Sequence, residues 1–258
     1  MKSAASILAK GLPIRRILAV GDIHQTPILK QIDATIDRIA PDVTIFIGDY
    51  FDSFIHDHHD HVRRTAIWLK QGLLRHDRIF LLGNHDLPYA YPYLATCPGW
   101  TPEKHRVIRS VMEEPDWNKL RLSYSPNASW LFTHAGVSRG LIPSGITDVP
   151  AWFSEQETVA LSSLKARENH WIFRGGTRRG DNTVGGPLWC DLKDFDPVPG
   201  LNQVFGHTAA SKGQPLIREI TSKNSINFCI DCLNTKSGSL LFLDDGSATE
   251  IPLECNSM

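Results

Sequence analysis

Cysteine, excess charge and long apolar segments are all scarce in this chain of 258 residues. Its five cysteines, an odd number scattered along the sequence, argue against a disulfide framework and predict a cytoplasmic protein. A formal net charge of −1 gives no electrostatic signal for nucleic acid or a membrane surface. No apolar stretch, that of residues 1–10 included, is long enough for a signal peptide or a membrane span. These observations indicate a globular protein, and the chain is long enough to bury a large hydrophobic core.

One pattern recurs along the chain: an apolar run typical of a buried strand ends in Asp, Asn or His, usually beside a glycine. It occurs in residues 17–24, 45–52, 79–86, 130–136 and 203–208. A single Gly-Asp pair is usually only a turn. Ligands of open α/β sheets, however, bind at the carboxyl ends of strands, so five such ends indicate a metal site. Oxygen and imidazole ligands without cysteine suit Mn²⁺, Fe or Zn²⁺.

Apolar spacing predicts a strand at Arg16–Val20, an amphipathic helix at Pro27–Ile39 and a strand that ends at Asp49, which together form a right-handed parallel crossover. The runs after residue 216 predict antiparallel strands. Without repeats or a long linker, residues 1–258 are predicted to form one domain. A segment at about 87–124, rich in Pro, Tyr and Trp, is interpreted as an insertion that packs over the site.

Two further motifs carry weaker signals. Cys229 and Cys232 have the C-x-x-C spacing of zinc or redox sites, but no second pair accompanies them, so we expect no function there. The tract His56–His61 contains four histidines and two aspartates. It could line the mouth of a metal cleft, although a solvated loop that opens the next helix is the simpler interpretation.

A later loop contains three arginines, Arg174, Arg178 and Arg179. The arginine guanidinium can donate two hydrogen bonds to two oxygens of one phosphate group. Many Arg-Gly loops, however, are only solvated turns. Because the loop lies between metal-ligand candidates, we predict that at least one of the three binds substrate phosphate. Arg174 directly follows a strand predicted at 171–173, and we expect it to be the best placed.

The motifs Gly21-Asp-Ile-His24, Gly48-Asp-Tyr-Phe-Asp52, Gly83-Asn-His-Asp86, His134-Ala-Gly136 and Gly206-His-Thr208 occur in this order. Together they resemble the calcineurin-like metallophosphoesterases, and most closely the phosphoprotein (Ser/Thr) phosphatase and diadenosine tetraphosphate hydrolase branch. The resemblance spans residues 17 to about 245. It implies an α/β fold in which two mixed β-sheets pack as a sandwich flanked by helices.

The resemblance also implies two divalent metal ions, for which we expect Mn²⁺ first and Fe or Zn²⁺ as alternatives. The residues matched to the ligands of the two ions are Asp22, His24, Asp49, Asn84, His134 and His207. Asp49 would bridge the first ion, held with Asp22 and His24, and the second, held by the other three. A bridging carboxylate suits in-line phosphoryl displacement because it keeps two cations about 3.5–4 Å apart.

The implied activity is hydrolysis of phosphate monoesters, on a phosphoprotein or a small phosphorylated substrate, by a metal-bridging hydroxide. His85 matches the family's histidine that protonates the leaving oxygen, and Asp52 matches the carboxylate that orients it. A scaffold with purely structural metals would need neither residue, which disfavours a non-enzyme interpretation.

Two positions depart from the family pattern. Ser53 stands where the phosphatase branch has an arginine that grips phosphate. A phosphodiesterase or dinucleoside polyphosphate hydrolase therefore stays open as the alternative function. Ala209 stands where other branches have a second histidine, so the first metal would have fewer protein ligands.

Overall fold

Ten strands form two mixed sheets in the computed structural model, which describes residues 14–53, 58–93, 96–233 and 237–254. The strands are β1 (Arg16–Val20), β2 (Val43–Phe46), β3 (Arg78–Phe80), β4 (Ser123–Asn127), β5 (Trp130–Thr133), β6 (Asn202–Phe205), β7 (Arg218–Ser222), β8 (Ser225–Cys229), β9 (Ser237–Asp244) and β10 (Ser247–Glu254). One sheet has the order β10-β9-β1-β2-β3 and the other the order β4-β5-β6-β8-β7. The strands β1-β2-β3 and β5-β6-β8 pair in parallel, and the remaining pairs are antiparallel. The predicted α/β fold with two mixed sheets is confirmed.

The two sheets pack face to face, as the alternation along β1 shows. Ile17 and Ala19 point between the sheets, where they share a core with Phe132 of the second sheet. Leu18 and Val20 point the opposite way, into the core that the helices cover. Successive side chains of a strand face opposite sides, so β1 is apolar on both faces because both are buried.

The helices lie on the outer faces of the sheets. They are α1 (Leu29–Ile39), α2 (His59–Gly72), α3 (Leu87–Ala90), α4 (Pro102–Arg109), α5 (Glu114–Trp117) and α6 (Val149–Ala166). The crossover β1-α1-β2 has the predicted parallel pairing, and α1 ends where Ala40 adopts a left-handed conformation just before Pro41. No helix in the described ranges is long and apolar enough to cross a membrane.

The segment predicted as an insertion contains the three short helices α3, α4 and α5 and ends in β4. The hydroxyl of Thr101 caps α4 by accepting the backbone N–H of Lys104 at 3.2 Å. This cap fixes the first turn of α4 and therefore the position of the Lys104 side chain, which is buried.

Trp171–Phe173 forms a 3₁₀ turn rather than the predicted strand. The ring Nδ1 of His170 accepts the backbone N–H of Ile172 at 3.4 Å, which caps the turn. Arg174 therefore follows a turn, and the rigid strand end expected beneath it is absent.

Candidate active site

Loops at the ends of five strands bring the predicted site residues to one end of the sandwich. Asp22 and His24 follow β1, Asp49 and Asp52 follow β2, Asn84 and His85 follow β3, His134 follows β5, and His207 follows β6. The cleft that they border has a volume of about 560 Å³. Its lining includes His24, Asp49, Asn84, His85 and His207. The structure thus brings together side chains that are up to 185 residues apart in the chain.

Four of these residues have a left-handed backbone. The φ angles are 41° for His24, 50° for Asp49, 64° for Asp52 and 68° for His207. Residues other than glycine rarely adopt positive φ, and such strain concentrates at functional sites where the surroundings enforce it.

At Asp49 the backbone is held by contacts with Asp86. Its buried carboxylate accepts backbone N–H groups from Asp49 at 2.9 Å, Tyr50 at 2.8 Å and Gly83 at 2.9 Å. A Cβ atom on Gly83 would lie 2.1 Å from Oδ1 of Asp49, so only glycine fits there. Asp86 and Gly83 together fix where the Asp49 carboxylate lies.

The first group of metal-ligand candidates consists of Asp22, His24 and Asp49, whose ligand atoms lie within 4.8 Å of one another. Nε2 of His24 is 3.9 Å from Oδ2 of Asp22 and 3.7 Å from Oδ2 of Asp49. The other ring nitrogen of His24 is 3.1 Å from the Phe51 carbonyl oxygen. A proton on Nδ1 makes this a hydrogen bond and leaves the Nε2 lone pair directed at the carboxylates.

The second group consists of Asp49, His134 and His207, with Asn84 between the two imidazoles. Nε2 of His134 lies 3.4 Å from Oδ2 of Asp49, the same oxygen that faces His24. Oδ1 of Asn84 lies 2.8 Å from Nε2 of His134 and 2.7 Å from Nδ1 of His207. Asp49 therefore belongs to both groups, as a bridging carboxylate must.

The contact between His134 and Asn84 tests whether these residues fit a metal ion. Nδ1 of His134 lies 3.1 Å from the Ile47 carbonyl, so in the neutral ring it carries the proton and donates it there. Nε2 then faces the amide oxygen of Asn84 with its lone pair, at 2.8 Å. Two acceptors at this distance repel each other unless a cation lies between them. The pair is suited to sharing one metal ion.

The buried charges lead to the same conclusion. Burial raises the pKa of Asp22 well above its usual value and that of Asp49 to about 8. Burial also lowers the pKa of His24 to about 4 and that of His207 to about 3, which keeps both imidazoles neutral and able to bind metal. Among the described residues no Lys or Arg forms an ion pair with Asp22 or Asp49. A divalent metal held by these ligands would supply the missing positive charge.

His85 and Asp52 form a dyad beside these groups. Nδ1 of His85 lies 3.2 Å from Oδ2 of Asp52. The other carboxylate oxygen accepts the Tyr89 hydroxyl at 2.5 Å and the Lys104 ammonium at 3.1 Å. Burial lowers the pKa of His85, but the Asp49 and Asp52 carboxylates outweigh burial and the net shift is upward. The dyad can therefore hold a proton on an imidazole that borders the cleft.

Among the three arginines, Arg179 lines the cleft. Its guanidinium lies 4.5 Å above the ring of Trp189, and Nη2 is 3.3 Å from Nε2 of His207. Arg174 instead borders a neighbouring cavity, where it donates to the Thr183 hydroxyl at 3.0 Å. The strand on which the preference for Arg174 rested does not form, and Arg179 rather than Arg174 lines the cleft.

Arg178 is 58% exposed and forms an ion pair with Asp191 at 3.1 Å. The buried Asp191 also accepts from Arg179 at 3.4 Å. Asp191 therefore orients the two arginines from below the loop, and the Arg178 side chain is not among those that line the cleft.

The two weaker motifs lie apart from the ligand groups. Residues 54–57 of the histidine tract, which include His56, are outside the described residues, and α2 begins at His59. His58 and His59 are exposed and border a surface hollow of their own, as expected for a solvated loop. The thiols of Cys229 and Cys232 contact different carbonyls, those of Gly206 at 3.4 Å and Ser239 at 3.1 Å. Burial raises the pKa of both thiols to about 12, so neither is a reactive thiolate.

The sequence analysis assigned no role to several residues of the site: Asp86, Tyr89, Lys104, Trp189 and Asp231. Asp231 follows β8 as the other carboxylates follow their strands, so the same strand-end pattern could have found it. Lys104 sits in a short helix with no recognisable motif, and only the folded chain shows its contact with Asp52.

A two-sheet α/β sandwich with paired Asp/His/Asn groups at its strand ends has the ligand set of a metal-dependent hydrolase. The family model of the calcineurin-like phosphoesterases matches residues 15–211. The chain belongs to this family and is a hydrolase that acts on phosphoesters. The resemblance inferred from the five motifs is confirmed.

Several solved phosphatase structures share the fold. A cold-active protein tyrosine phosphatase is 16% identical over 94% of this chain and 80% of its own, with a TM-score of 0.60. Another structure, of the cold-active enzyme from a psychrophilic Shewanella species, is 16% identical over 92% and 80%, with a TM-score of 0.56. A Saccharomyces cerevisiae serine/threonine phosphatase similar to human phosphatase PP5 is 12% identical over 96% and 82%, with a TM-score of 0.50. At such identities the likeness shows the fold alone. No curated protein sequence gives a significant match.

Proposed function

We propose that this chain is a phosphatase that hydrolyses phosphate monoesters with two divalent metal ions. The observation that carries the proposal is the sharing of Asp49 between two buried ligand groups, Asp22 and His24 on one side and His134 and His207 on the other. Two bound ions would supply positive charge to the phosphoryl oxygens and lower the pKa of the attacking water. The ligands are oxygen and imidazole nitrogen, which suits Mn²⁺ first and Fe or Zn²⁺ as alternatives.

The dyad supplies the proton for the leaving group in this proposal. Asp52 accepts the Nδ1–H of His85 and fixes the ring orientation. Nε2 of His85, the ring nitrogen opposite this contact, is the one that would protonate the leaving oxygen. The residues around Asp52 keep its carboxylate in place during the transfer, because its second oxygen already accepts from Tyr89 and Lys104.

Arg179 is the proposed phosphate clamp. Nη2 of Arg179 lies 3.3 Å from Nε2 of His207, and the guanidinium lies over the Trp189 ring at the edge of the ligand groups. From this position it can donate to the oxygens of a phosphate held in the cleft. Ser53, buried in the position where the family's phosphatase branch has arginine, leaves this task to Arg179.

A second cavity next to the metal cleft could accommodate part of a larger substrate. It has a volume of about 480 Å³ and shares Phe173 and Gly175 with the metal cleft. Trp171 and Arg174 also line it, so an aromatic or charged group attached to the scissile phosphate would have a place to bind. This observation favours a phosphodiesterase or dinucleoside polyphosphate hydrolase as the alternative function.

A substrate panel assayed with Mn²⁺ tests the proposal. We expect nitrophenyl phosphate and phosphopeptides to be hydrolysed faster than bis-nitrophenyl phosphate and diadenosine tetraphosphate, and a chelator to abolish all turnover. Faster cleavage of the diester or of the dinucleotide would favour the alternative function instead. The proposal places the enzyme in the cytoplasm, because the four cysteines of the described residues are buried thiols.

A further inference from the structure

Asp231 contributes a buried carboxylate to the metal cleft. It lies two residues beyond the end of β8, is 3% exposed and lines the cleft with His24, Asp49 and Ala209. Its Oδ1 atom is fully buried and accepts no hydrogen bond from any described residue. A buried carboxylate oxygen without a partner is costly, which indicates that something outside the described residues satisfies it.

The backbone around Asp231 is fixed close to Asp22. The Ile230 N–H donates to the Phe205 carbonyl at 2.8 Å, and the Asp231 carbonyl accepts from Ala210 at 3.3 Å. On the opposite side, a Cβ atom on Gly21 would lie 2.0 Å from the Ile230 carbonyl oxygen. Only glycine allows the loop after β1 to approach the end of β8 this closely, and the approach places the segment that carries Asp231 beside the segment that carries Asp22.

The charges around Asp231 are unbalanced. Burial raises its pKa to about 7, against the opposing influence of Arg218 and His85. Burial and then the charge of Asp231 raise the pKa of Asp22. Arg218, the nearest candidate partner, instead contacts the sulfur of Cys229 at 3.0 Å and the carbonyl of Ala209 at 3.4 Å. Arg218 is thus close enough to affect the Asp231 carboxylate, but no Lys or Arg among the described residues forms an ion pair with Asp22, Asp49 or Asp231.

We propose that Asp231 is an outer carboxylate of the first metal site, a role that rests on the metal-dependent function proposed above. Asp231 is not among the residues whose ligand atoms converge within 4.8 Å, so it acts through water rather than as a direct ligand. The Ala209 side chain beside it offers no ligand atom. Asp231 thus supplies negative charge and a hydrogen-bond acceptor next to Ala209, the position at which other branches of the family have a second histidine. Both properties raise the affinity of the site for a divalent cation.

Titration of the metal-free full-length protein with Mn²⁺, followed by calorimetry, tests this role without an activity assay. We expect wild type to bind two ions and Asp231→Asn to bind one of them 10–100-fold more weakly, the usual effect of losing an outer-shell carboxylate. Asp116→Asn is the matched control, since Asp116 is a buried carboxylate that pairs with Lys70 outside the cleft. Its two Mn²⁺ affinities should equal those of wild type.

Thermal unfolding gives a second readout. Replacing the carboxylate whose buried Oδ1 has no partner among the described residues should raise the melting temperature of the metal-free protein, while the increase caused by Mn²⁺ should shrink. Unchanged Mn²⁺ affinities in Asp231→Asn, with a lowered metal-free melting temperature, would show that Asp231 serves Arg218 and would overturn the inference. If Asp231→Asn does not fold, the Mn²⁺ affinities and the metal-free melting temperature are measured on Asp231→Ser instead, with the same expected results. A wild-type protein that binds no Mn²⁺ would overturn the proposed function itself.

Discussion

Lys104 donates a hydrogen bond to Oδ1 of Asp52 across 3.1 Å, and the exposed fractions of the two side chains are 3% and 0%. The second oxygen of Asp52 faces Nδ1 of His85. A cation from α4 thus neutralises the carboxylate that orients the proposed acid. Tyr89 and Lys104 hold one oxygen of Asp52 and His85 contacts the other, which links the insertion to the cleft.

Replacing Lys104 with Met should reduce both stability and turnover. The change leaves the buried Asp52 carboxylate uncompensated, which typically costs about 3–5 kcal/mol of unfolding free energy. We expect a lower melting temperature and a lower kcat with little change in KM, because Lys104 acts on His85 and not on the phosphate. Lys104→Arg, which keeps the charge, should recover part of both losses.

Lys119→Met is the control for this variant. Lys119 is 42% exposed and pairs with Asp116 at 3.6 Å, so its loss should change stability by less than about 1 kcal/mol. Wild-type kcat and melting temperature in Lys104→Met would show that Asp52 does not depend on the lysine.

The parts of the site that local sequence specifies were predictable. β1 and β2 are apolar on both faces because they are buried between a sheet and helices, and such runs are readable in a single sequence. Parallel strands end at the same edge, so Asp22 and Asp49 had to lie near each other once the strands were identified. The pairing of β1 with β2 is a local consequence of the crossover.

The parts that depend on long-range packing were not predictable. Lys104 reaches Asp52 across 52 residues, and the sequence around α4 carries no sign of it. The 3₁₀ turn at Trp171–Phe173 depends on a side-chain cap that competes with strand propensity, so the strand predicted before Arg174 does not form. The positive φ of Asp49 arises from the contacts that Asp86 makes, not from the preference of aspartate itself.

Asp49→Asn should weaken both metal ions and abolish turnover. Oδ2 of Asp49 faces His24 at 3.7 Å and His134 at 3.4 Å, so a neutral amide there removes negative charge from both groups at once. Metal analysis after dialysis, with the rate on nitrophenyl phosphate, measures both effects. Two retained ions and a rate within a few-fold of wild type would refute the bridging role.

Asp86→Asn distinguishes the loss of a ligand charge, as in Asp49→Asn, from a disturbance of the loop that positions the ligand. Asp86 accepts three backbone N–H groups, including that of Asp49, and an amide can accept only some of them. This variant should lose stability before it loses metal, because it disturbs the loop and not the ligands. Asp49→Asn should show the opposite order.

His85→Asn should lower kcat by roughly 10²–10⁴, the usual contribution of a general acid, with metal content unchanged. The loss should shrink for substrates with good leaving groups, which need little protonation. Nitrophenyl and alkyl phosphates provide the comparison. Equal losses on both would exclude the acid role, and loss of metal would mean that His85 supports the ligands instead.

Comparing Arg179→Ala with Arg174→Ala tests which of the two arginines binds the substrate phosphate. Arg179 lies against Trp189 and His207 in the metal cleft, so its removal should raise KM for nitrophenyl phosphate by about 10–100-fold, the worth of a hydrogen bond to a charged group. The effect on kcat should be smaller, as expected for a contact made in the ground state.

Arg174 borders the second cavity, and its removal should leave KM for this small substrate unchanged. For bis-nitrophenyl phosphate, which carries one charge less, Arg179→Ala should have little effect. A larger KM effect from Arg174→Ala than from Arg179→Ala would reverse the assignment and return the phosphate clamp to the residue that sequence reasoning preferred.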